Sequence, residues 1–259
     1  MFDTAKLYYF SPTGGTKRSA EIFCKEISQK VMLIDLGTKG DFAVPNGEAQ
    51  GEEDDLTVFA VPVFGGRIPS LVAEKLNRLN GGGKEAVTMV VYGNRAYEDA
   101  LLELNNIVRD RGFHIAASCA CVAQHSMAPE VGKGRPDEVD SIGIRDFAKK
   151  AAGKIAGGTG GEIIVPGNYP YRDGANLPVT PISLPDCALC GECAASCPAG
   201  AIALEANAIV TNPEKCILCM ACTAVCPKRA RILPPPMEEK MEQLLGALKT
   251  VRRENEYFL

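Results

Sequence analysis

One cysteine pattern occurs twice in this chain: Cys187-x2-Cys190-x2-Cys193-x3-Cys197-Pro198 and, 29 residues on, Cys216-x2-Cys219-x2-Cys222-x3-Cys226-Pro227. Eight thiols in so short a stretch leave little apolar material to bury, so whatever the thiols bind must organise the fold. The spacing is that of two [4Fe-4S] cubanes. Three cysteines on a tight loop wrap one cube, and the fourth, followed by proline, points away and ligates the other. Cys187, Cys190, Cys193 and Cys226 are therefore expected to hold one cluster, and Cys216, Cys219, Cys222 and Cys197 its twin. Each cluster passes one electron at a time.

Two plainer uses of cysteine fit less well. Disulfides need an oxidising compartment, yet the chain opens MFDTAKLYYF without an apolar signal segment, and a cytoplasmic location is expected. Structural zinc would use two CxxC pairs and leave the third and fourth cysteine of each run without a purpose.

The remaining composition narrows the function further. With 259 residues, 46% of them hydrophobic, the chain can bury a core and is long enough for two units. No apolar run approaches the about 18 residues of a membrane span. The net charge of -4, from 28 basic and 32 acidic side chains in no blocks, gives no footprint for nucleic acid. Two histidines and no tryptophan argue against haem or histidine-based metal sites.

Domain organisation follows from a shift in composition. Residues 158–180 are rich in Gly and Pro, can hold neither a helix nor a central strand, and read as a linker. The run Gly157 to Gly161 contains GGTGG, but a helical pattern precedes it, so it does not meet the strand-then-helix context of a dinucleotide fingerprint. Upstream, in residues 1–157, strand patterns at Lys6 to Phe10, Val31 to Leu36, Leu56 to Val63, Ala86 to Tyr92 and Phe113 to Val122 alternate with helical stripes. Those stripes are Ala20, Phe23, Cys24 and Ile27; Val72, Lys75, Leu76 and Leu79; Leu101, Leu104 and Val108; and Ile144, Phe147, Ala148, Ala151 and Ile155. Alternation of this kind predicts an α/β unit, a parallel sheet covered on both faces. The Gly- and acid-rich connection from 37 to 55 predicts a crossover without a regular helix, and its Glu52 to Asp55 run a solvated turn. Residues 181–236 are too few for an ordinary core and are expected to use the clusters as staples, in a small α+β domain. Residues 237–259 are expected to form an amphipathic helix with the stripe Met237, Met241, Leu244, Leu245 and Leu248, docked on a domain.

The passage from first strand to first helix, Ser11-Pro12-Thr13-Gly14-Gly15-Thr16, sets hydroxyls among glycines at a helix N-terminus, a geometry suited to a phosphate. The plainer reading, in which Ser11 or Thr16 simply caps the helix, is equally compatible with these residues. A nucleotide-triphosphate loop is excluded, because G-x4-G-K-S/T fails in every register.

On those residues the chain resembles flavodoxin, whose phosphate loop reads Ser/Thr-x-Thr-Gly-x-Thr, matched by Ser11, Thr13, Gly14 and Thr16, with Gly15 between. The resemblance implies a flavodoxin-like doubly wound sheet of five parallel strands and FMN as cofactor. It also implies that two later loops flank the flavin ring. Their counterparts are Pro62, Val63, Phe64, Gly65 and Gly66 after the third strand, and Tyr92, Gly93, Asn94, Arg95 and Tyr97 after the fourth. With tryptophan absent, Phe64 and Tyr97 become the expected stackers. The whole chain is similar to fusion proteins that join a flavodoxin-like domain to a two-cluster ferredoxin, PVFGGRIP and YGNRAY being the loops that carry the likeness. That likeness implies an electron-transfer protein passing single electrons between two [4Fe-4S] clusters and FMN, and to an external redox protein. Two other functions are compatible with the same parts: an FMN-dependent reductase fed by its own ferredoxin domain, and a ferredoxin with a flavin-free docking domain.

Less is implied elsewhere. Cys119 and Cys121 read as buried thiols of the fifth strand, and His125 and Ser126 leave that strand at the ligand-binding edge, where plain loop structure is the simpler use and a flavin contact the alternative. Arg67 is either a charge beside the flavin or a solvated arginine.

Overall fold

The computed structural model describes residues 1–40, 55–158, 161–174 and 177–259. The expected turn at Glu52 to Asp54 and most of the 37 to 55 connection lie outside the described residues. Strands β1 (Phe2–Tyr9), β2 (Ser28–Asp35), β3 (Asp55–Pro62), β4 (Glu85–Tyr92) and β5 (His114–Val122) alternate with helices α1 (Gly15–Ile27), α2 (Ser70–Leu76), α3 (Ala100–Asp110) and α4 (Glu138–Ala156). The five strands pair in parallel in the order β2-β1-β3-β4-β5, with the switch in direction of winding at β1 and β3. That order is the flavodoxin-like doubly wound sheet, and it opens a crevice at the carboxyl ends of its strands.

Both faces of the sheet are buried. One packs Phe59, Phe10, Leu76, Leu101 and Leu104, the other Leu7, Phe23, Met89, Ile144 and Phe147. Alternate residues of β3 and β4 supply both layers, which is why these strands read as nearly continuous apolar runs. Thr88, at the centre of the sheet, is satisfied by the buried Asn105 and Ser118 side chains at 2.6 and 2.8 Å.

The segment 161–180 has no helix or strand among its described residues, but it is bound to the sheet domain. Ile163 and Val165 enter the first core layer. Asp99 accepts hydrogen bonds from the backbone N–H of Asn168 at 2.8 Å and of Arg172 at 2.7 Å. Burial works to raise the Asp99 pKa, yet these bonds and the Arg172 charge hold it below the usual carboxylate range.

The cysteine-rich unit follows: β6 (Ile182–Ser183), α5 (Glu192–Ala195), the hairpin β7 (Ile202–Glu205) and β8 (Ala208–Thr211), α6 (Ala221–Ala224) and β9 (Arg231–Ile232), with β6 and β9 antiparallel. Its doubling is visible in the backbone. Leu189 and Leu218 both have φ of 51°, Gly191 and Met220 have 80° and 63°, and Gly200 and Arg229 have 58° and 51°, each pair 29 residues apart.

The end of the chain corrects the expectation of a helix over 237–259. Helix α7 runs only from Pro235 to Leu245, its start set by Pro235 and Pro236, which suit the first turn because their missing N–H groups have no intrahelical partner there. A short 3-10 turn follows at Gly246–Thr250, and β10 (Glu256–Phe258) then pairs antiparallel with β5 as a sixth strand. The reason is tertiary. Tyr257 stacks on Phe147 at 4.9 Å, and Val122 N–H donates to Asn255 Oδ1 at 2.8 Å, so the sheet edge, not the local sequence, shapes this segment. Met241 and Leu245 of the expected stripe are buried with Val131, Met220 and Leu233, while Leu244 is exposed. No helix among the described residues is long and apolar enough to cross a membrane.

Candidate functional site

Three loops leave the carboxyl ends of β1, β3 and β4 and meet around one cavity, joined by the loop after β5. Its lining includes Thr13, Gly15, Thr16, Pro62, Val63, Phe64, Gly65, Tyr92 and Gly93 of the expected flavin loops. The first loop is built for an anion. Gly14 caps α1 with a φ of 88°, no acidic side chain occupies the first turn, and Thr16 is buried. Ser11 Oγ accepts from Lys17 N–H of the first turn at 2.9 Å, and Ser11 is not among the residues lining this cavity.

In the second loop Phe64 and Arg67 exchange backbone hydrogen bonds across Gly65 and Gly66, whose φ values of 60° and 86° require glycine. Gly65 faces the cavity. Gly66 does not, since a Cβ there would lie 2.0 Å from Glu98 Oε2. Arg67 is also turned away: its Nε and Nη2 donate to Glu103 at 2.8 and 2.7 Å, and its guanidinium lies over Tyr171.

The third loop divides. Tyr92 and Gly93 line the cavity, and Gly93 is pressed so closely under His125 that a Cβ would lie 2.4 Å from the imidazole. Asn94, Arg95 and Tyr97 are not among the lining residues. Asn94 Nδ2 donates to the Val251 carbonyl at 2.7 Å and Oδ1 accepts from Arg253 N–H, Arg95 pairs with Glu98 at 2.6 Å, and Tyr97 packs on Tyr92 and donates to Glu256 at 2.7 Å. Tyr97, one of the two expected stacking rings, is thus buried and holds the tail, outside the cavity's lining. Phe64 remains as the expected stacker that faces the cavity.

Other walls come from outside the three expected flavin loops. Gln124, His125, Ser126 and Met127 come from the loop after β5, and the remaining wall is Leu177 of the 161–180 segment with Ile217, Leu218 and Cys219 of the cysteine-rich unit. The position of His125 and Ser126 at the strand's end was a signal for the first group, whereas nothing local in the sequence marks the second. His125 Nδ1 accepts from the N–H of Met127 and of Ala128, both at 3.2 Å, so a neutral ring carries its proton on Nε2. Burial and, after it, the Arg95 charge lower its pKa to about 4. A second cleft sets Thr13 and Pro12 opposite Cys197, Pro198 and Ala221, bridged by Lys39 Nζ to the Ala194 carbonyl at 2.5 Å.

The cysteines fall into two loops of matching shape. Among the described residues no three His, Cys, Asp or Glu side chains form a site for a single metal ion. A cubane asks for a different arrangement, one thiolate per iron. Cys197, although it ends the first run, lies close enough to Cys219 and Cys222 for its charge to bear on both, as does that of Cys216. Cys187 bears in the same way on Cys193. Cys190 is exposed, Cys193, Cys197, Cys219 and Cys222 are buried, and Cys187, Cys216 and Cys226 are half-buried. Burial pushes the Cys219 thiol up to about 12, so a thiolate there requires a bound cation. The left-handed residues after Cys190 and Cys219, Gly191 and Met220, begin α5 and α6 and belong to the kind of turn that points backbone N–H groups at an anion. Donor set, loop shape and burial all fit iron–sulfur clusters.

The family of 4Fe-4S dicluster domains matches residues 181–227. Among solved structures, the chain is similar to a flavodoxin from Streptococcus pneumoniae TIGR4, at 20% identity over 58% of this chain and 99% of that one, with a TM-score of 0.44. It is likewise similar to a flavodoxin from the domain Archaea, at 18% identity, 59% and 99% coverage and a TM-score of 0.43. A short-chain flavodoxin associated with a non-canonical PDU bacterial microcompartment gives 17%, 60%, 99% and 0.44. No curated protein matches the chain. The doubly wound topology stands on the strand order itself.

Proposed function

We propose that this chain, a flavodoxin-like sheet joined to a 4Fe-4S dicluster domain with an electron-transfer or redox role, passes single electrons between two [4Fe-4S] clusters and an FMN on one polypeptide, and exchanges them with an external redox protein. One observation carries the reading. Cys219, an expected cluster ligand, lines the same cavity as Thr13, Thr16, Phe64, Gly65, Tyr92 and Gly93. When bound, FMN supplies a two-electron carrier that can be loaded singly, and the cubanes supply one-electron carriers.

The residues divide the work by position. Thr13, Thr16 and the amides opening α1 hold the phosphate, Phe64 and Tyr92 offer aromatic faces, and Gly65 supplies a backbone turn that a side chain would strain. Ile217 and Leu218 keep water from the space beside Cys219. Cys216, Cys219, Cys222 and Cys197 hold the cluster next to the cavity. Cys187, Cys190, Cys193 and Cys226 hold the outer one, where the exposed Cys190 marks the face for the external partner. A reductase would need a substrate-sized pocket beside the flavin, and here Ile217, Leu218 and the expected ligand Cys219 take part of the cavity wall, which favours transfer within the chain.

The test begins with anaerobic purification and assay of iron, sulfide and extracted flavin. Rapid mixing with a limiting one-electron reductant then follows the visible spectra of clusters and flavin. Redistribution between them should be first order, at a rate independent of protein concentration. A rate that rises in proportion to concentration would mean transfer between molecules and overturn the reading.

A further inference from the structure

Arg231 is a buried cation whose protein partners leave its charge unbalanced. It lies on β9 opposite Ser183 of β6 and is 4% exposed. Nη1 donates to Ser183 Oγ at 3.0 Å and Nη2 to Thr211 Oγ1, both neutral groups. Nε is buried without any partner, and no carboxylate pairs with the guanidinium among the described residues. Arginine stays protonated at any ordinary pH, and a buried charge without an opposite one is strongly unfavourable. A counter-charge has to come from the groups in its surroundings.

Those surroundings are the cysteine loops. Helix α6, which carries Cys222, packs on β9, and α5, which carries Cys193, packs on α6. Arg231 and Cys187 line one groove. Arg231 also hydrogen-bonds the Cys222 thiol of the second loop, and its charge reaches Cys193 of the first, opposing in each thiol the effect of burial. The side chain is therefore within reach of a thiol of each expected cluster site. A cubane held by four thiolates is an anion and becomes more negative on reduction, so a fixed cation beside it favours the reduced form.

Resting on the reading of these cysteines as ligands of two clusters, we propose that Arg231 is the shared counter-charge of both, a positioning residue that raises both reduction potentials. Each cluster gains one electron on reduction and no bond is made or broken, so the arginine acts only through its charge and its hydrogen bonds.

The experiment is an anaerobic redox titration of the full chain followed by electron paramagnetic resonance, with iron and sulfide assayed in every sample. Arg231→Gln should lower both potentials and shift the reduced-to-oxidised ratio at fixed ambient potential by about tenfold or more, equivalent to about 59 mV for one electron. Arg231→Lys keeps the charge and should stay within about threefold of the parent protein. Should removal of the guanidinium unseat the clusters, Ser183→Asp decides the matter, because it leaves the arginine in place and sets a carboxylate beside it. That variant should move both potentials down. Unchanged potentials in Ser183→Asp, equal shifts in the Gln and Lys variants, or a shift confined to one cluster would overturn the proposal. A parent protein lacking the iron and sulfide of two clusters would instead overturn the reading beneath it.

Discussion

Phe59 and Cys222 are both buried, and what surrounds each differs between the two halves of the molecule, although Cys219 and Ala221 join the layer that holds Phe59. Phe59 stacks near Tyr8 at 5.3 Å and meets Phe113 edge-on at 5.1 Å, inside a layer of some of the largest apolar side chains in the chain. Cys222 lies among Cys193, Cys197, Ala201 and Ile202, a cluster of few apolar side chains in which three of the five buried residues are cysteines. The sheet domain is stabilised by area removed from water, which needs no ligand. The cysteine-rich domain has little such area, and its loops hold left-handed residues such as Leu189, Leu218 and Met220 that a bare chain would avoid. Its cohesion has to come from what the thiols bind.

Removing iron is the most severe challenge to that contrast. Chelation under conditions that strip the clusters should abolish hydrogen-exchange protection over residues 181–233 while β1 to β5 stay protected. Mass spectrometry of the exchanged peptides would show it. Protection retained across both cysteine loops would mean that the small domain has a core of its own, and the comparison would fail.

Phe59→Ala probes the other side. Truncating a fully buried phenylalanine should lower stability by about 3–5 kcal/mol, read from denaturant unfolding, because the cavity adds to the lost transfer free energy. The folded variant should keep the parent's iron content. Loss of iron in protein that is still folded would show that damage in this layer reaches the cysteine loops through Cys219 and Ala221, which join it, and the contrast would fail.

Thr16→Val gives the smallest effect and tests whether the sheet domain alone carries the phosphate. A hydrogen bond to a charged group is worth about 1.5–3 kcal/mol, so FMN should bind roughly ten- to a hundredfold more weakly, with riboflavin far less affected. Flavin titration of the apoprotein measures both. Equal losses for the two flavins would leave Thr16 as a packing residue of α1.

The cysteine repeat, the alternating strands and helices, and the hydroxyl–glycine loop were legible because each is a relation between near neighbours: ligand spacing, a period of 2 or 3.6, a cap beside its helix. The sheet order then brought Thr13, Phe64, Gly65, Tyr92 and Gly93 to one crevice, as expected of loops at carboxyl ends. Other features had no local signal. Glu256 to Phe258 form a strand only because β5 presents a free edge. Asn94 and Tyr97, set beside the cavity in sequence, are claimed by Val251, Arg253 and Glu256, more than 150 residues away. The wall of Ile217, Leu218 and Cys219 and the buried charge of Arg231 belong to the same class. Sequence determined which elements form and which thiols can ligate, since backbone periodicity and ligand reach act over a few residues. Tertiary structure decided what faces the cavity and which charge lies within reach of both cysteine loops, since exclusion of water and unbalanced charge depend on neighbours that only the folded chain brings together.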